Sequence, residues 1–275
     1  MEKKLNPLYF PTSIVFVDDD VDFLKSFSML LDNNLPIHLF DSAKAALEFI
    51  NNQQSIANSL KNFTGYALLD NADQKICLNI DAIHQQMYDK DRFNQVSIVI
   101  ADFAMPEMEG LDFLNQIKHP EIKRILLTGV ADEKTAVKAF NDGIIDRFFL
   151  KNTASLDEEI NNTIKALQQD YFSLLGEPTH NVLSDYTGDF LSDPQFQKLF
   201  MKLQAKHKWV EYYIMEQPQG IISLDAKGEL SFLFISSEED ARTHYEMAVA
   251  GDEPAQLLEI LAEDKHIPWL PTTDG

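Results

Sequence analysis

Apolar and polar positions change period several times along this chain. Ser13 to Val17 is a short β-branched run that stops at Asp18, Asp19 and Asp20. Phe23, Leu24, Phe27, Leu30 and Leu31 then recur at helical spacing until the polar Asp32-Asn33-Asn34, a strand followed by an amphipathic helix. Ile37 to Phe40 predicts a second strand, and Asp41 or Ser42 caps a helix whose apolar face is Ala46, Leu47, Phe49 and Ile50. The unbroken run Val96 to Ala101 ends at Asp102, with Met105-Pro106 and Gly110 at short range, the pattern of a parallel strand buried on both faces. A helix from Leu111 to Ile117 and a strand from Arg124 to Leu127, ending at Thr128, come next. Asp132 caps a further helix carrying Ala136, Val137 and Phe140; Gly143 closes it, and Ile145 to Leu150 is a strand ending at Lys151. Strands alternating with helices in this way predict βαβ units, hence an α/β fold with a doubly wound parallel sheet.

Two stretches depart from that alternation. Residues 51–95 are rich in Asn and Gln, yet Ile80, Ile83, Met87 and Tyr88 keep helical spacing, and Phe63, Tyr66, Leu68, Leu69 and Leu78 require burial. They predict an inserted helical segment rather than a linker. After a helix from Leu156 to Leu175, Gly176 and Pro178 mark the expected boundary. Beyond it, Phe196, Leu199, Phe200 and Leu203 predict a helix. Trp209 to Met215, Gly220 to Leu224 and Glu229 to Ile235 predict three short strands, with a turn at Asp225 to Gly228. Two acidic helices follow, around Glu238 to Ala250 and Glu253 to Ala262. The expected organisation is one domain over 1–155 with an insertion at 51–95, a connecting helix and linker over 156–180, and a smaller, faintly PAS-like α+β domain over 181–275.

Composition narrows the function. A net charge of −21 argues against a phosphate-backbone partner, which needs a basic face. Cys77 is the only cysteine, so neither an intramolecular disulfide nor a cysteine-rich zinc site is available. No window approaches the ~20 apolar residues of a membrane span, and the start of the chain lacks a signal-peptide pattern. The expectation is a cytoplasmic protein. His207, His244 and His266 show no metal-ligand spacing, and the aromatics of Trp209 to Ile214 read as core.

The chemistry lies at strand ends: Asp18 to Asp20, Asp102, Thr128 and Lys151. Singly, each has a plain explanation: a solvated helix start, a cap, a turn, a surface lysine. In a parallel sheet, however, those ends gather at one edge, where ligands bind. Three carboxylates in one pocket repel unless a cation neutralises them, and oxygen-only ligands favour Mg²⁺. One carboxylate can then act as nucleophile towards a phosphoryl group, with Thr128 and Lys151 supporting its oxygens.

The segments IVFVDDD (Ile14 to Asp20), ADFAMPEMEG (Ala101 to Gly110), RILLTG (Arg124 to Gly129) and DRFFLKN (Asp146 to Asn152) resemble the receiver domains of two-component response regulators, over roughly residues 12–170. The resemblance implies a five-stranded, flavodoxin-like sheet and an Asp102 that accepts a phosphoryl group from a histidine kinase or phosphotransfer protein. It also implies Mg²⁺ held by Asp19 and Asp102 with the Ala104 backbone carbonyl, Asp18 completing the acidic pair. Thr128 is then the switch hydroxyl, Lys151 the phosphate-binding lysine and Phe148 the switch aromatic. Three features depart from the family pattern. Asn152 replaces the usual proline after the lysine, Phe148 has no hydroxyl, and the 51–95 segment lengthens the path from the acidic pair to Asp102.

A rival resemblance, to haloacid-dehalogenase-like phosphatases, starts from Asp18-x-Asp20 with Asp18 as nucleophile. It uses Thr128 and Lys151, and finishes on Gly188-Asp189 and Asp193. It leaves Asp102 and MPEMEG without a role. The favoured expectation is therefore a phosphoacceptor signalling protein rather than an enzyme. Its output would be by protein contact, with homodimerisation, and without nucleic acid.

Overall fold

A computed structural model describes residues 5–32, 35–53, 64–68, 74–129, 133–151, 153, 155–183, 190–215, 219–251 and 253–262. Its centre is a parallel five-stranded sheet built from β2 (Ser13–Val17), β3 (Ile37–Phe40), β6 (Val96–Asp102), β7 (Lys123–Thr128) and β8 (Arg147–Leu150), in the order β3-β2-β6-β7-β8. This is the flavodoxin-like order, with its switch point between β2 and β6. All seven residues of β6 are buried, which is why that segment reads as a continuous apolar run rather than an alternating one.

Alternate side chains serve the two faces. Val15, Val17, Val99, Ala101 and Leu126 pack with Ala46 and Ile50 of α2 (Ala43–Asn51), Phe113 and Leu114 of α4 (Gly110–Asn115), and Ala139 of α5 (Glu133–Asn141). Ile14, Phe16, Ile98, Ile100, Ile125 and Leu127 pack with Leu24 and Phe27 of α1 (Val21–Ser28) and with Leu156, Ile160, Ile164 and Leu167 of α6 (Leu156–Leu183). Each buried Val, Leu, Ile or Phe side chain among these contributes ~1.5–3 kcal/mol by removal from water, so the sheet is held from both sides. Ser42, rather than Asp41, is the cap of α2, its hydroxyl accepting from the Ala45 N–H. Asp132 lies outside the described residues.

The inserted segment holds a helix, as expected, but also a pair of strands that the helical reading did not include. It forms an antiparallel hairpin, β4 (Thr64–Leu68) with β5 (Gln74–Leu78), before the helix α3 (Ile80–Gln85). Two short apolar runs flank a polar Asp-Asn-Ala-Asp stretch, a hairpin signal that helical spacing downstream overshadowed. Ile83 of α3 is fully buried, but in a different core: that of a second, antiparallel sheet.

That sheet runs β1-β9-β10-β11, from β1 (Leu8–Tyr9), β9 (Trp209–Met215), β10 (Gly220–Asp225) and β11 (Leu230–Phe234). The domain division read from sequence assigned residues 8–9 to the first domain; their backbone instead pairs with β9, Leu8 opposite Tyr213 and Tyr9 opposite Tyr212. The helix expected to stop near Gly176 continues through Gly176 and Pro178 to Leu183. Its first half supplies the parallel sheet's core, while Tyr171, Phe172 and Leu175 supply the antiparallel one. One helix therefore belongs to two cores, and no linker separates them at that point. The remaining helices are α7 (Pro194–His207), capped by Asp193, α8 (Glu238–Ala250), opened by a Ser237–Asp240 capping box, and α9 (Ala255–Ala262). No described helix is long and apolar enough to cross a membrane.

Candidate active site at the carboxyl edge of the parallel sheet

Strands β2, β6, β7 and β8 end together, and each delivers one polar residue. Asp18 follows β2 and is 1% exposed; Asp102 closes β6 at 6%; Thr128 closes β7 and is buried; Lys151 follows β8. The Lys151 ammonium lies between the two acids, 2.6 Å from Asp18 Oδ2 and 3.0 Å from Asp102 Oδ1. The Lys151 N–H donates to the Thr128 carbonyl at 2.8 Å, which fixes where the lysine leaves the backbone. Asp19 is exposed beside Asp18, and one carboxylate oxygen from each of Asp18, Asp19 and Asp102 lies within 4.8 Å of the others.

The third acid of the triplet has another task. Asp20 Oδ1 accepts from the N–H groups of Asp22 and Phe23, both at 3.0 Å, and so caps α1. Asp18 accepts from the Asp20 N–H at 3.0 Å. Burial pushes the Asp18 carboxyl up; Lys151 and the Asp20 N–H pull it back, yet it stays above the ordinary aspartate value. For Lys151, burial works against the charged form, but the bonds to Asp18 and Asp102 outweigh it and raise the ammonium above its usual value. The lysine is therefore a fixed positive charge beside two carboxylates.

The loop after β6 is folded tightly against the site. Ala104 donates its N–H to Asp102 Oδ2 at 3.3 Å and is exposed. The Gly110 N–H donates to the Phe103 carbonyl at 2.8 Å, and a Cβ at Gly110 would come within 2.0 Å of the Asp102 carbonyl oxygen. Phe148 lies on β8 opposite Leu126, half-buried against the α2–α4–α5 core. Asn152 lies outside the described residues.

The residues expected from sequence to form one site (Asp18, Asp19, Asp102, Thr128 and Lys151) thus share one sheet edge. The rival arrangement shares Asp18, Thr128 and Lys151 with this site, but its remaining described acids serve as helix caps. Asp20 is engaged as a cap, Asp193 caps α7 by accepting from Gln195 and Phe196, and Gly188 and Asp189 lie outside the described residues. His207 stacks on Trp209 at 5.4 Å between ring centroids, a packing role; His266 lies outside the described residues. Sequence reasoning missed Phe23, whose ring faces the Lys151 ammonium at 4.1 Å. Its spacing was that of any core residue of α1, and only the fold brings it to the site.

Comparison with known proteins agrees with this geometry. A family model described as the response regulator receiver domain matches residues 66–161, a stretch that holds Asp102, Thr128, Phe148 and Lys151 but begins downstream of Asp18 and Asp19. Over 106 residues the chain is 28% identical to the DNA-binding transcriptional regulator NtrC of Klebsiella pneumoniae and 29% identical to that of Escherichia coli K12. Those alignments cover 38% of this chain and 22% of each relative, so the chain spans about a fifth of the length of these curated relatives. The structure of the Legionella pneumophila response regulator LqsR is similar over 98% of this chain and 80% of that one, with 33% identity and a TM-score of 0.78. Sheet order, strand-end residues and a relative similar across both sheets lead to one conclusion: the chain belongs to the response regulators of two-component systems and carries their receiver domain.

Proposed function

We propose that Asp102 is the phosphoacceptor of this receiver. The observation that supports it most is the Lys151 ammonium held 3.0 Å from Asp102 Oδ1, at the carboxyl end of the central strand. In the reaction, an Asp102 carboxylate oxygen attacks the phosphorus of a phosphohistidine. The new O–P bond forms as the P–N bond breaks, and the imidazole leaves with the electron pair. Lys151 faces the transferred oxygens, and the Thr128 hydroxyl supplies a further hydrogen bond.

Receiver domains bind Mg²⁺ through acidic residues, and this site has the donors. Asp18, Asp19 and Asp102 offer oxygens only, within a span of 4.8 Å, close to the roughly 4 Å across an octahedral ion with ~2.1 Å bonds. We propose Asp19 and Asp102 as direct ligands, joined by the Ala104 carbonyl, with Asp18 completing the acidic set. When bound, the ion would neutralise the carboxylates and the transferred oxygens. Asp18, already bonded to Lys151, orients that lysine.

Phosphorylation exchanges the single negative charge of the Asp102 carboxylate for a phosphoryl group carrying close to two, at the strand ends that hold Thr128. On our reading, the hydroxyl turns towards that group and the half-buried Phe148 ring follows, biasing the surface around β8 and the start of α6. The partner upstream is a histidine kinase or phosphotransfer protein. Downstream we favour protein contact, including self-association, because the acidic composition offers no basic face to nucleic acid. Incubation with acetyl phosphate and Mg²⁺ should add one phosphoryl group to wild type and none to Asp102→Asn. Steady phosphatase turnover that survives Asp102→Asn and stops in Asp18→Asn would contradict this assignment.

A further inference from the structure

Lys151 has a fourth neighbour besides Asp18, Asp102 and the backbone of Thr128. Its ammonium sits 4.1 Å from the centroid of the Phe23 ring. That ring is itself held firmly. The Phe23 N–H is bonded to the Asp20 cap, its ring stacks on Phe27 at 5.5 Å and 24°, and it meets the edge of Phe16 at 6.2 Å and 72°. Phe16 and Phe27 are fully buried. A column of aromatic rings thus runs from the core, starting two residues before Asp18, and ends against the lysine.

We propose that Phe23 is a positioning residue for phosphoryl transfer: its ring face holds the Lys151 ammonium at the pocket, where it can meet the phosphoryl oxygens of Asp102. The inference rests on Asp102 being the acceptor. A lysine carries its charge on a flexible four-carbon stem and spends rotamer freedom on every fixed contact. Here Asp18 bonds it from one side and the ring attracts it electrostatically from another. When a phosphoryl group arrives and draws the ammonium from Asp18 towards its oxygens, the ring contact need not be broken, because a ring face has no single bonding direction. Phe23 also displaces water from one flank of the ammonium, which strengthens its attraction for the incoming charge. A leucine of similar bulk would fill the space without the ring quadrupole.

The full chain is tested with acetyl phosphate at saturating Mg²⁺, reading the first-order rate of labelling at Asp102. A lost cation–π contact corresponds to a rate reduced by about two- to tenfold. Phe23→Leu should show that loss, Phe23→Tyr should restore most of the rate, and Phe23→Leu should have no further effect when combined with Lys151→Met. In wild-type NMR spectra the Lys151 ε-methylene protons should lie upfield of the other lysines, a ring-current signature that needs no variant and that Phe23→Leu abolishes. An unshifted Lys151 resonance would overturn the proposal. So would an unchanged labelling rate in Phe23→Leu, or the same fold loss with and without the lysine, which would mean the ring acts through packing alone. Wild type that takes no label at Asp102 would instead remove the acceptor assignment on which the proposal stands.

Discussion

Arg92 and Glu211, 119 residues apart, form a two-point ion pair: Nε to Oε2 at 3.0 Å and Nη2 to Oε1 at 3.1 Å. Glu211 belongs to β9 of the antiparallel sheet, and Arg92 to the segment inserted before β6 of the parallel one. Both side chains are largely buried, at 12% and 5% exposure. The Tyr213 hydroxyl donates to the same Glu211 carboxylate at 2.8 Å, and next to Arg92 the Phe93 carbonyl accepts from the Ser13 hydroxyl at 2.6 Å. The insertion therefore clamps the second sheet to the first strand of the receiver, alongside α6 and the β1–β9 pairing.

Removing one partner of this pair leaves the other charge buried. Arg92→Met and Glu211→Gln should each destabilise the protein by about 3–5 kcal/mol, while the double replacement Arg92→Met/Glu211→Met should recover much of that loss. Urea unfolding of the three variants checks this. Single variants within about 0.5 kcal/mol of wild type, the range of ordinary surface substitutions, would show the pair to be incidental.

Gly110 is required by close approach rather than by an unusual backbone angle. A Cβ there would lie 2.0 Å from the Asp102 carbonyl oxygen, so either the α4 start or the Asp102 backbone must move. Gly110→Ala should cost about 1–3 kcal/mol or more and slow phosphorylation at Asp102, because the displaced atoms adjoin the acceptor. Thermal unfolding together with acetyl phosphate labelling measures both effects; a variant that labels at the wild-type rate would contradict the link.

Burial raises the hydroxyls of Tyr9, Tyr171, Tyr212 and Tyr213 above the ordinary tyrosine value of 10.0. A group raised on folding stabilises the folded state fully below its unfolded pKa. Above that value the unfolded chain loses the proton first, and stability falls as pH rises towards the folded value. The protein should therefore lose stability steeply above about pH 10, by up to ~1.4 kcal/mol per pH unit for each such tyrosine. Tyr171→Phe should flatten the slope by one proton. Urea midpoints between pH 9 and 11, read beside tyrosinate absorbance, test it; parallel slopes for wild type and variant would contradict it.

What the chain revealed in advance depended on how local the signal was. The SIVFV and VSIVIAD runs are buried on both faces, so their composition alone announced parallel strands, and residues at consecutive strand ends had to meet at one edge. Asp18, Asp102, Thr128 and Lys151 were legible for that reason. The hairpin at 64–78 was not, because short apolar runs in a polar context carry little periodicity. Nor was the fusion of the two cores. Leu8 and Tyr9 are too few to read as a strand until β9 supplies their partners. The continuation of α6 past Gly176 and Pro178 overrides two local breakers, which favourable packing elsewhere along the helix can do. Phe23 and Arg92 escaped because their partners, Lys151 and Glu211, are more than a hundred residues away.

Whether Asp102 takes the phosphoryl group can be decided by chemical mapping. Borohydride reduces an aspartyl phosphate to homoserine, which peptide mass mapping locates by residue. Applied to protein freshly phosphorylated with acetyl phosphate and Mg²⁺, it should convert position 102 alone. Homoserine at position 18 or 19, with Asp102 recovered as aspartate, would contradict the account.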